Sequence, residues 1–322
     1  MIGLNSKNSG WKAAADLGTN TFQLLIGRIE NGRLLTALRQ KVGVKVGQGG
    51  METKEILPHA VKRSIAALSE FSIALKGFDL YPSDCITLAT SAFRNATNYL
   101  SVVETIQKET GFQIQIISGE EEASLIFEGV LASGAIVESF PNLIVDIGGG
   151  SVEFIICQNN SQQWKKSFEI GGLRLLEKFH KEDPIPEIEK INLKRYLDLE
   201  LKELWSAINI WKPTVLVGCS GSFDTLIEMQ HAYRGQVLPD VEENSSYTLD
   251  SAHFQYLKSK LLGSTFKERL EMPGMIPLRA EMMVVAVLLI DHLIEKMSYP
   301  QIRTSTFALK EGYLYLNYDG RN

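Results

Sequence analysis

Two stretches of the chain share one hydrophobic and polar pattern. Residues 14–27 read AADLGTNTFQLLIG and residues 144–157 read IVDIGGGSVEFIIC. Each is an apolar run, a tip of small polar residues and a second apolar run, which predicts a β-hairpin. Asp16 matches Asp146, Gly18 matches Gly148 and Thr21 matches Ser151, at a constant offset of 130 residues (146 minus 16). A third strand is predicted after each copy. One runs from Leu34 to Val46 behind an Asn31-Gly32 turn; the other lies near Trp164 to Ile170 behind Asn159-Asn160-Ser161.

Beyond each meander the period changes. Apolar residues at Ile56, Ala60, Ile65, Leu68 and Phe71 predict a helix over Glu52–Leu75. A strand at Ile86–Ala89, a helix near Tyr99–Glu109 and a strand at Gln113–Ile117 come next. In the second half the pattern predicts one long helix over Pro186–Ile210, a buried strand at Thr214–Val217 and a helix over Ser222–His231. Arg279–Met297 reads as a central helix, apolar on most sides, followed by a strand at Ile302–Phe307 and a closing helix over Leu309–Asn317. A meander followed by alternating helices and strands, twice, implies two α/β domains with a cleft between them. The boundary is placed near Gly119, giving residues 1–119 with 306–322, whose helix packs back, and residues 120–305.

Bulk composition narrows the partners. The chain has 322 residues, a net charge of −5 and 22% charged residues, which argues against a broad basic surface for nucleic acid. No apolar run approaches the length of a membrane span, and the polar N-terminus has no apolar segment of the secretory kind; it reads as a loose tail. Cys85, Cys157 and Cys219 are isolated in apolar or glycine-rich surroundings. They are expected to be reduced core thiols of a cytoplasmic protein. The five histidines show no metal-binding spacing, and Lys165-Lys166 reads as a solvated pair.

Five short segments offer chemistry. Asp16-Leu17-Gly18-Thr19-Asn20-Thr21 places a carboxylate and small polar residues at a hairpin tip, suited either to phosphate and Mg²⁺ or to a plain turn. Asp146-Ile147-Gly148-Gly149-Gly150-Ser151, with Glu153 beyond it, carries three glycines whose entropic cost suggests that a phosphate approaches the backbone. Gly218-Cys219-Ser220-Gly221-Ser222 follows a buried strand and opens a helix, again a phosphate-loop candidate or a tight connection. Ser118-Gly119-Glu120-Glu121-Glu122 reads locally as a capped helix start with acidic residues complementing the dipole. Thr90-Ser91-Ala92-Phe93-Arg94 puts an arginine among hydroxyls past a strand end, a phosphate contact or a surface group.

Together with the GG-LRL of Gly171 to Leu175, Pro273-Gly274, the RAE at Arg279 and the ALKEG at Ala308, these segments resemble the exopolyphosphatase/guanosine-pentaphosphatase family, in family order over nearly the whole chain. The resemblance implies two ribonuclease-H-like domains of the actin-like ATPase superfamily, in the short two-domain form, with the active site in the cleft. It implies that Glu122 is the catalytic carboxylate acting on water. Asp16, Asp146 and Glu153 would serve Mg²⁺ or Mn²⁺. Gly18, Thr19, Asn20, Thr21, Arg94, Gly148, Gly149, Ser151, Gly218, Ser220, Gly221 and Ser222 would contact phosphate. Ser124, Cys219 and Lys310 depart from the family pattern. The expected substrate is polyphosphate or guanosine pentaphosphate, and the expected binding partners are polyphosphate or a guanosine penta- or tetraphosphate. No nucleic-acid or membrane partner is expected, and the open question of assembly concerns a homodimer. The rival expectations are a non-catalytic alarmone-binding regulator and an ATP-dependent kinase of the same superfamily.

Overall fold

The computed structural model describes residues 10–50, 53–239 and 244–317; most of the expected N-terminal tail, and Glu52, lie outside them. The chain divides into two compact units. One runs to Ser118 and resumes at Tyr313; the other runs from Gly119 to Gly312.

Unit one is built on β1 (Lys12–Leu17), β2 (Thr21–Glu30), β3 (Arg33–Gly43), β4 (Cys85–Ala89) and β5 (Ile114–Ile116), in the order β3-β2-β1-β4-β5. The first three form an antiparallel meander, and β4 and β5 extend it in parallel. Asn31 and Gly32 both take left-handed backbone angles, φ 51° and 76°, as a two-residue hairpin turn requires. Ala13, Ala15 and Leu17 of β1 alternate into a core with Phe22, Leu24 and Ile26. That core is covered by α1 (Pro58–Lys76), α2 (Ser91–Asn95) and α3 (Tyr99–Thr110). Helix α1 starts six residues later than Glu52, because Pro58 can open a helix but cannot continue one.

Unit two contains α4 (Gly119–Ala132), β6 (Asn142–Ile147), β7 (Val152–Gln158), β8 (Ser161–Phe168), α5 (Gly172–Phe179), α6 (Glu187–Glu200), α7 (Lys202–Trp211), β9 (Val215–Cys219), α8 (Ser220–Tyr233), β10 (Ser246–Leu249), α9 (Ser251–Leu262), α10 (Phe266–Leu270), α11 (Met283–Lys296) and β11 (Gln301–Ser305). Its sheet runs β10-β11-β9-β6-β7-β8, so β8-β7-β6-β9-β11 repeats the order of unit one and β10 adds an antiparallel edge. This is a ribonuclease-H-like strand order, present once in each unit. Helix α12 (Leu309–Leu316) ends the described chain. Within unit one its Tyr315 hydroxyl accepts the Leu34 N–H at 3.1 Å; within unit two Gly312 lies directly on the Leu125 carbonyl.

Every residue of α11 from Met283 to Ile294 is buried, which explains its apolar character on most sides. The predicted long helix over Pro186–Ile210 is instead α6 and α7, interrupted at buried Leu201. Arg279 is not part of α11; it sits in a short 3₁₀ turn, Pro277–Arg279. All three cysteines are buried and unpaired. No helix among the described residues is long and apolar enough to cross a membrane.

Candidate functional site

The glycine run of unit two is held in place by the start of α5. Gly148 N–H donates to the Ser151 carbonyl at 3.0 Å, closing the hairpin tip. The carbonyls of Gly148, Gly149 and Gly150 accept from the N–H groups of Gly172, Leu173 and Gly171, at 2.8, 2.9 and 3.1 Å. Arg174 Nε donates to the Gly150 carbonyl as well, at 2.9 Å. A trans peptide sends its N–H opposite to its C=O. With three carbonyls turned toward α5, the N–H groups of Gly149, Gly150 and Ser151 therefore point away from it, in the array that cradles an oxyanion. Gly171 must be glycine, since a Cβ there would collide with the peptide carbons of Gly149 and Gly150.

Unit one repeats the device with different parts. Gly18 N–H closes its tip on the Thr21 carbonyl at 3.1 Å. The Asn20 carbonyl accepts from Val44 and Lys45, at 3.0 and 2.9 Å, and the Thr19 carbonyl from Gly47 at 3.2 Å. The N–H groups of Asn20 and Thr21 are thereby turned the other way. Thr19, Asn20 and Thr21 are all buried. Arg94, on α2, donates from Nη1 to the Ile117 carbonyl at 3.0 Å, so part of its guanidinium serves the backbone.

The carboxylates of unit two form a row. Asp146 on β6 lies opposite Glu153 on β7, and Glu153 opposite Ser167 on β8. Directly paired residues of antiparallel strands share a face. Ser167 Oγ donates to Glu153 Oε1 at 2.6 Å, and Ser220 Oγ donates to Asp146 Oδ2 at 2.7 Å. Lys165, two residues before Ser167, shares this face and hydrogen-bonds Ser124 of α4. It is half-buried rather than solvated. Helix α4 therefore covers the same face as the carboxylate row. In its first turn Glu120 and Glu121 are exposed while Glu122 is only 7% exposed. The matching row in unit one is Asp16 opposite Gln23.

The third candidate loop has another explanation for its glycines. A Cβ on Gly218 would collide with the Phe223 ring, and one on Gly221 with the Arg279 guanidinium. Ser222 is fully buried and its hydroxyl has no hydrogen-bond partner among the described residues. Ser222 is enclosed much as Thr19 and Ser151 are, and it lies in the first turn of α8. Sequence reasoning missed Ser167, Arg174 and Asp224, and gave Arg279 no role of its own. Asp224 belongs to the same acidic neighbourhood: Cys219 is pushed well above the ordinary thiol range, first by burial and then by the charges of Asp146, Asp224 and Glu153. Only the Asp224 position, four residues after Ser220, could have signalled this.

Among the described residues no cluster of three His, Cys, Asp or Glu side chains forms a ready cation site. Asp146 and Glu153 still suit a hard divalent ion. Magnesium characteristically keeps several waters and takes one or two carboxylates alongside substrate phosphates.

Comparison with known proteins agrees with this architecture. A crystal structure of an exopolyphosphatase from Cytophaga hutchinsonii is 41% identical, covers 95% of this chain and 97% of its own, and superposes with a TM-score of 0.88. The Aquifex aeolicus member of the Ppx/GppA family shares the fold at 22% identity, with a TM-score of 0.77 over 95% of this chain and 96% of its own. A bifunctional 3-dehydroquinate synthase/phosphatase of Fusobacterium nucleatum is 25% identical over 90% of this chain, which spans 44% of that longer protein. The model of the Ppx/GppA phosphatase family matches residues 25–319, and the chain belongs to that family.

Proposed function

We propose that the protein is an exopolyphosphatase, releasing orthophosphate from the end of inorganic polyphosphate. The observation that carries this reading is the burial of Glu122 on the helix that covers the Asp146–Glu153 row. The relative at 41% identity, an exopolyphosphatase, supports the choice of substrate.

In this reading the N–H groups of Gly149, Gly150 and Ser151, and those of Asn20 and Thr21, bind phosphate oxygens. Glu122 orients a water molecule and accepts its proton as the water oxygen bonds to the terminal phosphorus. The bond from that phosphorus to the bridging oxygen breaks, and the shortened chain leaves as the anion. Asp146 and Glu153 would hold Mg²⁺ or Mn²⁺, with Asp16 the corresponding carboxylate of unit one; a bound cation supplies neutralisation of charge on the transferred group. Guanosine pentaphosphate ends in the same kind of phosphoanhydride and is the natural competing substrate.

The test is phosphate release from short polyphosphate, long polyphosphate and guanosine pentaphosphate, side by side with Mg²⁺. Glu122→Gln is expected to bind polyphosphate while losing about 10²–10⁴-fold in turnover, the usual worth of a general base. Wild-type turnover by that variant would sink the assignment.

A further inference from the structure

Asp146 and Glu153 each accept a hydrogen bond from a serine hydroxyl, and the two serines lie on different elements. Ser167 Oγ, on edge strand β8, donates to Glu153 Oε1 at 2.6 Å. Ser220 Oγ, at the first residue of α8, donates to Asp146 Oδ2 at 2.7 Å. Glu153 is 1% exposed and Asp146 7%, so each hydroxyl acts on a carboxylate enclosed by protein rather than by bulk water. Ser220 does this from a left-handed backbone angle, φ 65°. A non-glycine residue held there is strained and persists where its surroundings require it.

We infer that Ser167 and Ser220 are positioning residues that aim Glu153 and Asp146 at a divalent cation, and that the Ser220 hydroxyl proton is therefore not spent on phosphate. The inference rests on the reading that those two carboxylates hold the cation. A carboxylate oxygen that accepts a hydroxyl proton is fixed in orientation. Its partner oxygen then has a set direction, which is how residues behind a ligand tune a metal site.

Binding of Mn²⁺, followed by electron paramagnetic resonance with imidodiphosphate present and no turnover, separates the possibilities. Ser167→Ala and Ser220→Gly are each expected to weaken Mn²⁺ binding by about 10–100-fold, the usual cost of losing such a partner. Glycine at position 220 relieves the left-handed strain, so misfolding does not explain a loss there. Ser167→Thr keeps the hydroxyl on a strand-favouring side chain and is expected to restore binding to within about twofold of wild type. Asp146→Asn and Glu153→Gln test the underlying reading. If these lose Mn²⁺ while both serine variants bind it normally, the positioning role is overturned and the cation assignment stands. A merely structural role for Ser167, with Ser167→Thr binding no better than Ser167→Ala, overturns it too. Undiminished binding by the carboxylate variants, or none by the wild type, ends the cation reading and this inference with it.

Discussion

The hairpin tips of the two units descend from one sequence pattern and end up differently equipped. Both close with a glycine N–H on a carbonyl three residues ahead, and both turn their tip carbonyls away from the hairpin. In unit two the carbonyls are taken by the first turn of α5, with Arg174 added. In unit one they are taken by a turn after β3, where Lys45 takes φ 49°. The side chains differ in charge as well: Asp146 faces Glu153 in unit two, whereas Asp16 faces Gln23 in unit one. The proposed phosphate cradle needs only a way of turning peptides, and either device would serve. In the proposed reading, the Asp146–Glu153 pair makes unit two the half that would hold the cation.

That contrast can be broken from a distance. The loop after α5 is anchored by Arg269, which is fully buried and holds Asp183 through Nη1 at 2.9 Å and Nη2 at 3.0 Å. Arg269→Met leaves the buried Ala280 and Ser264 carbonyls without their donor, each at about 1–3 kcal/mol, and removes the partner of the more exposed Asp183, seen as a lower melting temperature. The ion pair also has a pH signature. Burial alone would raise the Asp183 pKa, but hydrogen bonds from Arg269 and the Phe266 N–H, with nearby positive charge, leave it below the ordinary 3.8. Its contribution is therefore complete above about 3.8 and lost as pH falls through the lower folded value. Melting of the wild type should weaken through that acid range, and Arg269→Met should flatten that part of the profile.

A nearer break is Gly171→Ala. The new methyl meets peptide backbone, which cannot swing aside, so α5 must move off the tip. Overpacking of this kind costs about 1–3 kcal/mol. Because the tip carbonyls lose their donors, KM for polyphosphate should rise along with the drop in melting temperature. Lys45→Gly probes the equivalent support of unit one and has the smallest expected effect. It relieves a left-handed lysine and should leave stability unchanged or raise it by up to about 1 kcal/mol. An equal loss of phosphate affinity in both variants would mean that the tips are interchangeable.

The hairpins were legible because the period of two, the glycines and the turn pairs are all local signals. The supports of unit two were not. Gly171, Gly172 and Leu173 bond residues more than twenty positions back, and no windowed pattern reports such a pairing. Ser167 lies in a polar edge strand, where a serine attracts no notice. Glu122 looks like either of its acidic neighbours until α4 is laid on its sheet face, since burial belongs to tertiary packing. The break at Leu201 is hidden for a similar reason: leucine favours helix, and its backbone departs only because both flanking helices pack separately. Gly218 and Gly221 have a packing reason the sequence did not show, since a Cβ on them would meet the Phe223 ring and the Arg279 guanidinium.

The buried cysteines have a practical consequence. Burial pushes the Cys85 and Cys157 thiols up to about 12, and Cys219 is raised well above its ordinary value. An enclosed, protonated thiol reacts with an alkylating reagent only while its strand is open. Cys85 lies on β4, Cys157 on β7 and Cys219 on β9. The unmodified chain thus carries its own clocks, one in the first sheet and two in the second. Their labelling rates, read site by site under native conditions, would time the breathing of each sheet without an added probe.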